Sequence, residues 1–174
     1  MKNVFKLTLM VAMLFSTTTL FAQKIGRINS QEVIVAMPET KEMQTKLDAV
    51  AKDWQENLET IQVEFNNKMQ EFQKNLNTLS DAARQVKENE LNSLRERATQ
   101  MQQMAQQDMG KQEQELFAPI LEKAQAAIEA VSKAGGYTAI FETGSLVYFD
   151  EATMTDITAA VKKELGITET PAAN

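Results

Sequence analysis

The chain has 174 residues, with 18 Lys and Arg against 24 Asp and Glu, and contains neither His nor Cys. Those absences exclude thiol nucleophiles, Ser-His dyads, imidazole acid/base chemistry and almost every transition-metal site. They also remove disulfides as a stabilising device.

At the N-terminus, Lys2 and Lys6 precede an apolar stretch from Leu7 to Phe15, followed by Ser-Thr-Thr-Thr and Leu20-Phe21-Ala22. This order of basic, apolar and small residues predicts a secretory signal peptide over 1–22, cleaved near Ala22. Its apolar part is too short to remain across ~30 Å of hydrocarbon. Cleavage there leaves 16 basic and 24 acidic residues, a net charge of −8. A chain so charged repels nucleic acid as a whole, and weakens any contact with an anionic membrane surface.

Lys24-Ile25-Gly26-Arg27-Ile28-Asn29 predicts a strand with Ile25 and Ile28 as its apolar residues, and Ser30 a helix N-cap, with Val33, Ile34 and Met37 on the short helix behind it. Pro38 either ends that helix or begins the next. From Thr40 to Leu79 there is no Gly and no Pro, and apolar residues recur at steps of three and four from Met43 through Trp54, Ile61 and Phe72 to Leu79. That is one stripe on a helix of about 40 residues, or ~60 Å. Its mean step of about 3.6 lies above the heptad value, so the seam is expected to be nearly straight or slightly right-handed. Ser80-Asp81 has N-cap chemistry for a second helix, whose stripe runs from Val86 and Leu91 to Ile120 and Val131 through Gly110 and Pro119. A bend is expected near Pro119. Two stripes of similar length around one breaker predict an antiparallel hairpin with its tip near 79–83; a single continuous rod is the alternative.

Ala134-Gly135-Gly136 closes the second helix. Tyr137 to Glu142 and Leu146 to Phe149, separated by Thr143-Gly144-Ser145, read as a β-hairpin. Asp150 to Leu165 reads as a last amphipathic helix, and the tail after Ile167 as loose. The fold class is therefore α+β and predominantly α. A long helical hairpin over 40–134 is inserted into a small β-rich body made from 23–39 and 135–167, with 168–174 as a flexible tail. So small a body buries little apolar surface, and self-association is the expected remedy.

The long helices carry 13 Gln between Gln44 and Gln114, which reads first as a solvated coiled-coil surface. Glu88 and Glu90, like Glu113 and Glu115, stand two apart and so point to different faces, which makes them poor acid/base pairs. No phosphate-cradling or zinc-protease motif occurs and no cofactor is implied. Phe65, Phe72, Met69, Met101, Met104 and Met109 fill the seam in the first instance. A two-helix arm cannot shelter every large side chain, however, and exposed thioethers and aromatics suit irregular apolar partners. Met104, off the main stripe, is the best candidate for exposure.

The order of signal, strand, short helix, Gln/Lys/Glu-rich hairpin, β-rich segment and closing helix resembles the Skp/OmpH family of periplasmic chaperones. The most specific residues are Gly136-Tyr137, Leu146-Val147-Tyr148 and Asp156-Ile157-Thr158 with Val161, together with Ile25 to Ser30. The resemblance implies a homotrimer with a shared barrel-like core, to which Ile25, Ile28, Ile140, Phe141, Val147 and Tyr148 would contribute. Three hairpins would then surround a cavity that holds unfolded outer-membrane proteins in the periplasm without ATP. The best-known members are strongly basic, and this acidic chain departs from them, which moves the expected affinity toward apolar contacts. The rival readings are a structural coiled-coil spacer or adaptor of the envelope and, more remotely, an enzyme working with carboxylates alone.

Overall fold

The computed structural model describes residues 24–167; the signal peptide expected over 1–22 and the loose tail over 168–174 lie outside the described residues. Strand β1 (Ile25–Ile28) leads through Asn29 into helix α1 (Ser30–Ala36). Asn29, not Ser30, is the N-cap: its side-chain oxygen accepts from the Glu32 backbone N–H at 3.1 Å, and Ser30 is already the first helical residue. Met37 breaks the helix in extended geometry and Pro38 starts α2 (Pro38–Asn75), where its missing N–H is no loss.

Helix α2 runs 38 residues and α3 (Asp81–Ala134) runs 54. Their apolar stripes face each other, with Leu47, Ile61, Leu91 and Leu94 buried along the arm. Contacts between residues far apart in sequence fix the antiparallel sense. Glu39 meets Lys123 at the base, Trp54 meets Asp108 midway, and Lys68 meets Glu90 toward the far end. A continuous rod is thus excluded. The turn occupies 76–80, and Ser80 caps α3 by accepting from the Ala83 N–H at 3.3 Å. Helix α3 is unbroken through Gly110 and Pro119.

The end of α3 is a Schellman-type closure: Tyr137 N–H reaches the Ser132 carbonyl at 3.0 Å and Gly136 N–H the Lys133 carbonyl at 3.1 Å. That geometry places Gly136 at φ +67°, a left-handed conformation that glycine adopts without strain. Strand β2 (Ala139–Glu142) follows, then a 3₁₀ turn (Thr143–Ser145), strand β3 (Thr155–Asp156) and helix α4 (Thr158–Glu164).

The β-hairpin expected over 137–149 is not formed. β2 pairs parallel to β1, with Ile25 opposite Ala139, and β3 pairs parallel to the other edge of β1, with Gly26 opposite Thr155, giving the order β2-β1-β3. Leu146 to Phe149 belongs to no strand, and Val147 and Tyr148 stand fully out in solvent. The last helix is also shorter than expected, because Asp150 to Met154 forms turns. Gly26 lies at the crowded centre of this sheet: a Cβ there would fall 2.8 Å from Ile140 Cδ1.

Two apolar clusters hold the body. Ile28, Val33, Ala127, Ile157 and Val161 form one, with Tyr137 and Ile140 packed against it; Met37, Ile120 and Ala124 form the other, with Met43 and Phe117 beside it. The last turns of α3 therefore belong to the body, and the remainder projects as the arm. One charged side chain is sunk here: Lys162 donates to Glu32 at 2.6 Å and is nearly covered.

Candidate functional site

The arm is one pair of helices with no third element against it among the described residues. Each helix buries a narrow seam and leaves larger apolar groups part-open. Phe65, Met69, Phe72, Met101 and Met109 are half-buried, and Met104 is 49% exposed, as its position off the stripe predicts. Val63, which the periodicity did not single out, is also exposed, and so is Val86, which the periodicity had placed on the second stripe.

These residues do not gather into one patch. Phe65 lies under the Arg95 guanidinium, 5.1 Å from ring centre, so Phe65, Met69 and Phe72 face the first third of α3. Met109 sits at another level, beside Trp54 and Leu58. The Trp54 indole N–H donates to Asp108 Oδ2 at 2.9 Å, holding the ring across the seam. Ala51, Ala105 and Gly110 complete an open notch at this level.

Polar contacts tie the two helices together outside the seam. Lys68 reaches Glu90 at 3.2 Å and Lys87 reaches Glu71 at 3.5 Å between the helices, and within α3 Lys87 also lies 3.6 Å from Glu90. The Lys68 hydrogen bond, aided by the Lys87 charge, holds the Glu90 carboxyl below its usual range. At the base, the hydrogen bond from Lys123 lowers Glu39 in the same way. These groups are paired and open to water, an environment that suits structural ion pairs and not general acids.

In the body, Ile25 is half-buried in β1, Ile28 is part of the chain's own core, and Ile140 packs against that core. Phe141 is 45% exposed, and Val147 and Tyr148 are exposed as well. Arg27 organises the segment that carries them: its guanidinium pairs with Asp156 at 2.7 Å and lies 4.5 Å from the centre of the Phe149 ring. Sequence reasoning missed this device, because an Arg inside a strand gives no sign of which loop it will hold.

Among the described residues, no group of acidic side chains is arranged to hold a metal ion, and no helix is long and apolar enough to cross a membrane. Residues 24–165 match the sequence profile of the outer membrane protein (OmpH-like) family. Chaperone protein Skp of Yersinia enterocolitica is 26% identical over 152 residues, covering 87% of this chain and 92% of that one. Chaperone protein Skp of Photorhabdus luminescens is 26% identical over 155 residues, covering 89% and 93%. The solved structure of an OmpH-like chain from Caulobacter crescentus CB15 superposes with a TM-score of 0.73 at 15% identity, covering 82% of this chain and 83% of that one, and so shares the fold. With a profile match that spans strand, arm and closing helix alike, the chain belongs to the OmpH-like outer membrane protein family.

Proposed function

We propose that this protein is a holding chaperone of the periplasm, which binds unfolded outer-membrane proteins and keeps them from aggregating without ATP. Its family membership and full-length similarity to proteins named Chaperone protein Skp support this reading. The observation that carries it is the arm itself, with Val63, Val86 and Met104 exposed and five further large apolar groups only half-covered. Many weak apolar contacts of this kind sum to useful affinity while leaving the bound chain mobile. No catalytic step is part of this role.

In the proposed arrangement 1–22 is the export signal, the helices from 40 up to the last turns of α3 are the arm, and 23–39 with 135–167 and those last turns, which carry Ile120, Ala124 and Ala127, form the association body of a trimer. Phe141, Val147 and Tyr148 supply its apolar outer surface, with Ile25 and Ile140 behind them. Phe65, Met69, Phe72, Met101, Met104 and Met109 contribute to the holding surface of the arms. A urea-denatured outer-membrane barrel protein, diluted into buffer without nucleotide, should scatter much less light when this protein is present in excess. Unchanged scattering would overturn the proposal and favour a spacer.

A further inference from the structure

Midway along the arm, α2 and α3 leave a shallow notch around Trp54, about 570 Å³ in volume and broadly open to solvent. Trp54 and Leu58 form one wall and Met109 the other, while Ala51, Ala105 and Gly110 leave the space between them.

Two features of the notch bear on what it can bind. Gly110 lies in the interior of a long helix, where glycine is less favourable than alanine. A Cβ at that position would meet nothing within 4 Å, so neither packing nor backbone conformation demands the bare residue. Second, Trp54 is fixed in place by its bond to Asp108, which orients the indole face before anything binds. An anchored indole beside an unfilled space has the form of a contact surface more than that of a seam.

Charge says what kind of segment fits. The stretches that frame the notch, 45–60 and 102–115, hold three basic and seven acidic residues, a net charge of −4. The far end of the arm, Asn66 to Gln100, holds six basic and five acidic residues, a net charge of +1. Glu113 lines the notch itself. We propose that the notch binds an extended segment of unfolded polypeptide whose apolar side chains are flanked by Lys or Arg. The apolar groups lie against Trp54, Leu58 and Met109, and the flanking cations meet the surrounding carboxylates. Acid-flanked segments are repelled at this level of the arm, and the notch thereby sorts the parts of a client chain. This deepens the holding role proposed above and rests on it.

Trp54 is the sole tryptophan, so its emission reports on the notch of the intact protein directly. A short unstructured peptide with a leucine- and tyrosine-containing centre and lysine flanks should shift that emission saturably. The same centre with glutamate flanks should bind about tenfold more weakly, and raising the salt toward about 0.5 M should erase the difference. Read by anisotropy of a labelled peptide, Gly110→Leu should weaken binding about tenfold by filling the space, while Gly110→Ala stays within about twofold of the parent. Equal affinity for the two peptides, or undiminished binding by Gly110→Leu, would overturn the assignment. So would Trp54 emission that follows the protein's own concentration without peptide, which would give the notch to a second copy. Suppression of barrel-protein aggregation with no Trp54 response to the peptide overturns the notch alone; a peptide response without suppression overturns the holding role and leaves the notch standing.

Discussion

Asp156 shows how single side chains order the body. Partial burial works to raise its pKa, but the Thr158 hydroxyl, the Thr158 N–H at 2.9 Å and the Arg27 charge act the other way, and the net effect is a lowered value. Glu39 is lowered as well, first by its hydrogen bond from Lys123 and then by a backbone bond and the Lys123 charge. A carboxyl whose folded pKa lies below its unfolded value contributes stability above the unfolded value and loses it as pH falls through the folded one. These two groups therefore stabilise the protein at neutral pH, and their contribution disappears on acidification below the ordinary carboxylate range. Thermal melting at a series of acidic pH values should show the Glu39→Gln, Asp156→Asn double variant losing less stability than the parent. At neutral pH the variant should be only slightly weaker, because partly exposed pairs contribute about 1 kcal/mol or less each.

The helices were legible in the sequence because burial in a two-helix arm follows a single stripe, and a step near 3.6 admits only one backbone. Leu47, Ile61, Leu91 and Leu94 lie on the predicted stripes and are buried. Ser80 announced the turn because a hydroxyl at that position accepts from the start of α3. The strands were harder to read. Val147 and Tyr148 have strong β propensity, yet propensity reflects fit to a half-covered pleated surface, and among the described residues nothing covers them. Thr155–Asp156 shows no alternation and is exposed; it becomes a strand only because Gly26 and Arg27 present it with a free edge. The notch was illegible for a related reason: in the sequence Gly110 is only one residue that the second stripe passes through, and the residues of the partner helix are needed to show the space beside it. The same distinction between seam and surface sets mutational cost along α2. Ile61→Ala, at a site 3% exposed, should lower stability by about 2–4 kcal/mol in urea unfolding followed by circular dichroism. Val63→Ala, two residues away and 51% exposed, should stay within about 0.5 kcal/mol.

As a molecule, the protein divides its apolar surface between two tasks. The body concentrates it into two clusters fed by both chain ends and by the last turns of α3. The arm spreads it thinly over two helices, about 57 Å and 81 Å long at 1.5 Å per residue. A soluble arm of this kind stays in water because charged and amide side chains cover most of each helix, with apolar groups exposed singly and not as one sheet. Spread contacts suit a partner without fixed shape, since each can be made or released separately. Relatives named Chaperone protein Skp align with this chain in sequence over most of their length. The most direct measurement is photo-crosslinking from a probe placed at Met104, on the arm, and at Lys163, on the exposed side of α4. The proposed role predicts crosslinks from Met104 to a denatured outer-membrane barrel protein, few from Lys163, and none from either position to the same protein once folded. Equal crosslinking from both positions, or capture of the folded barrel as readily as the unfolded one, would contradict it.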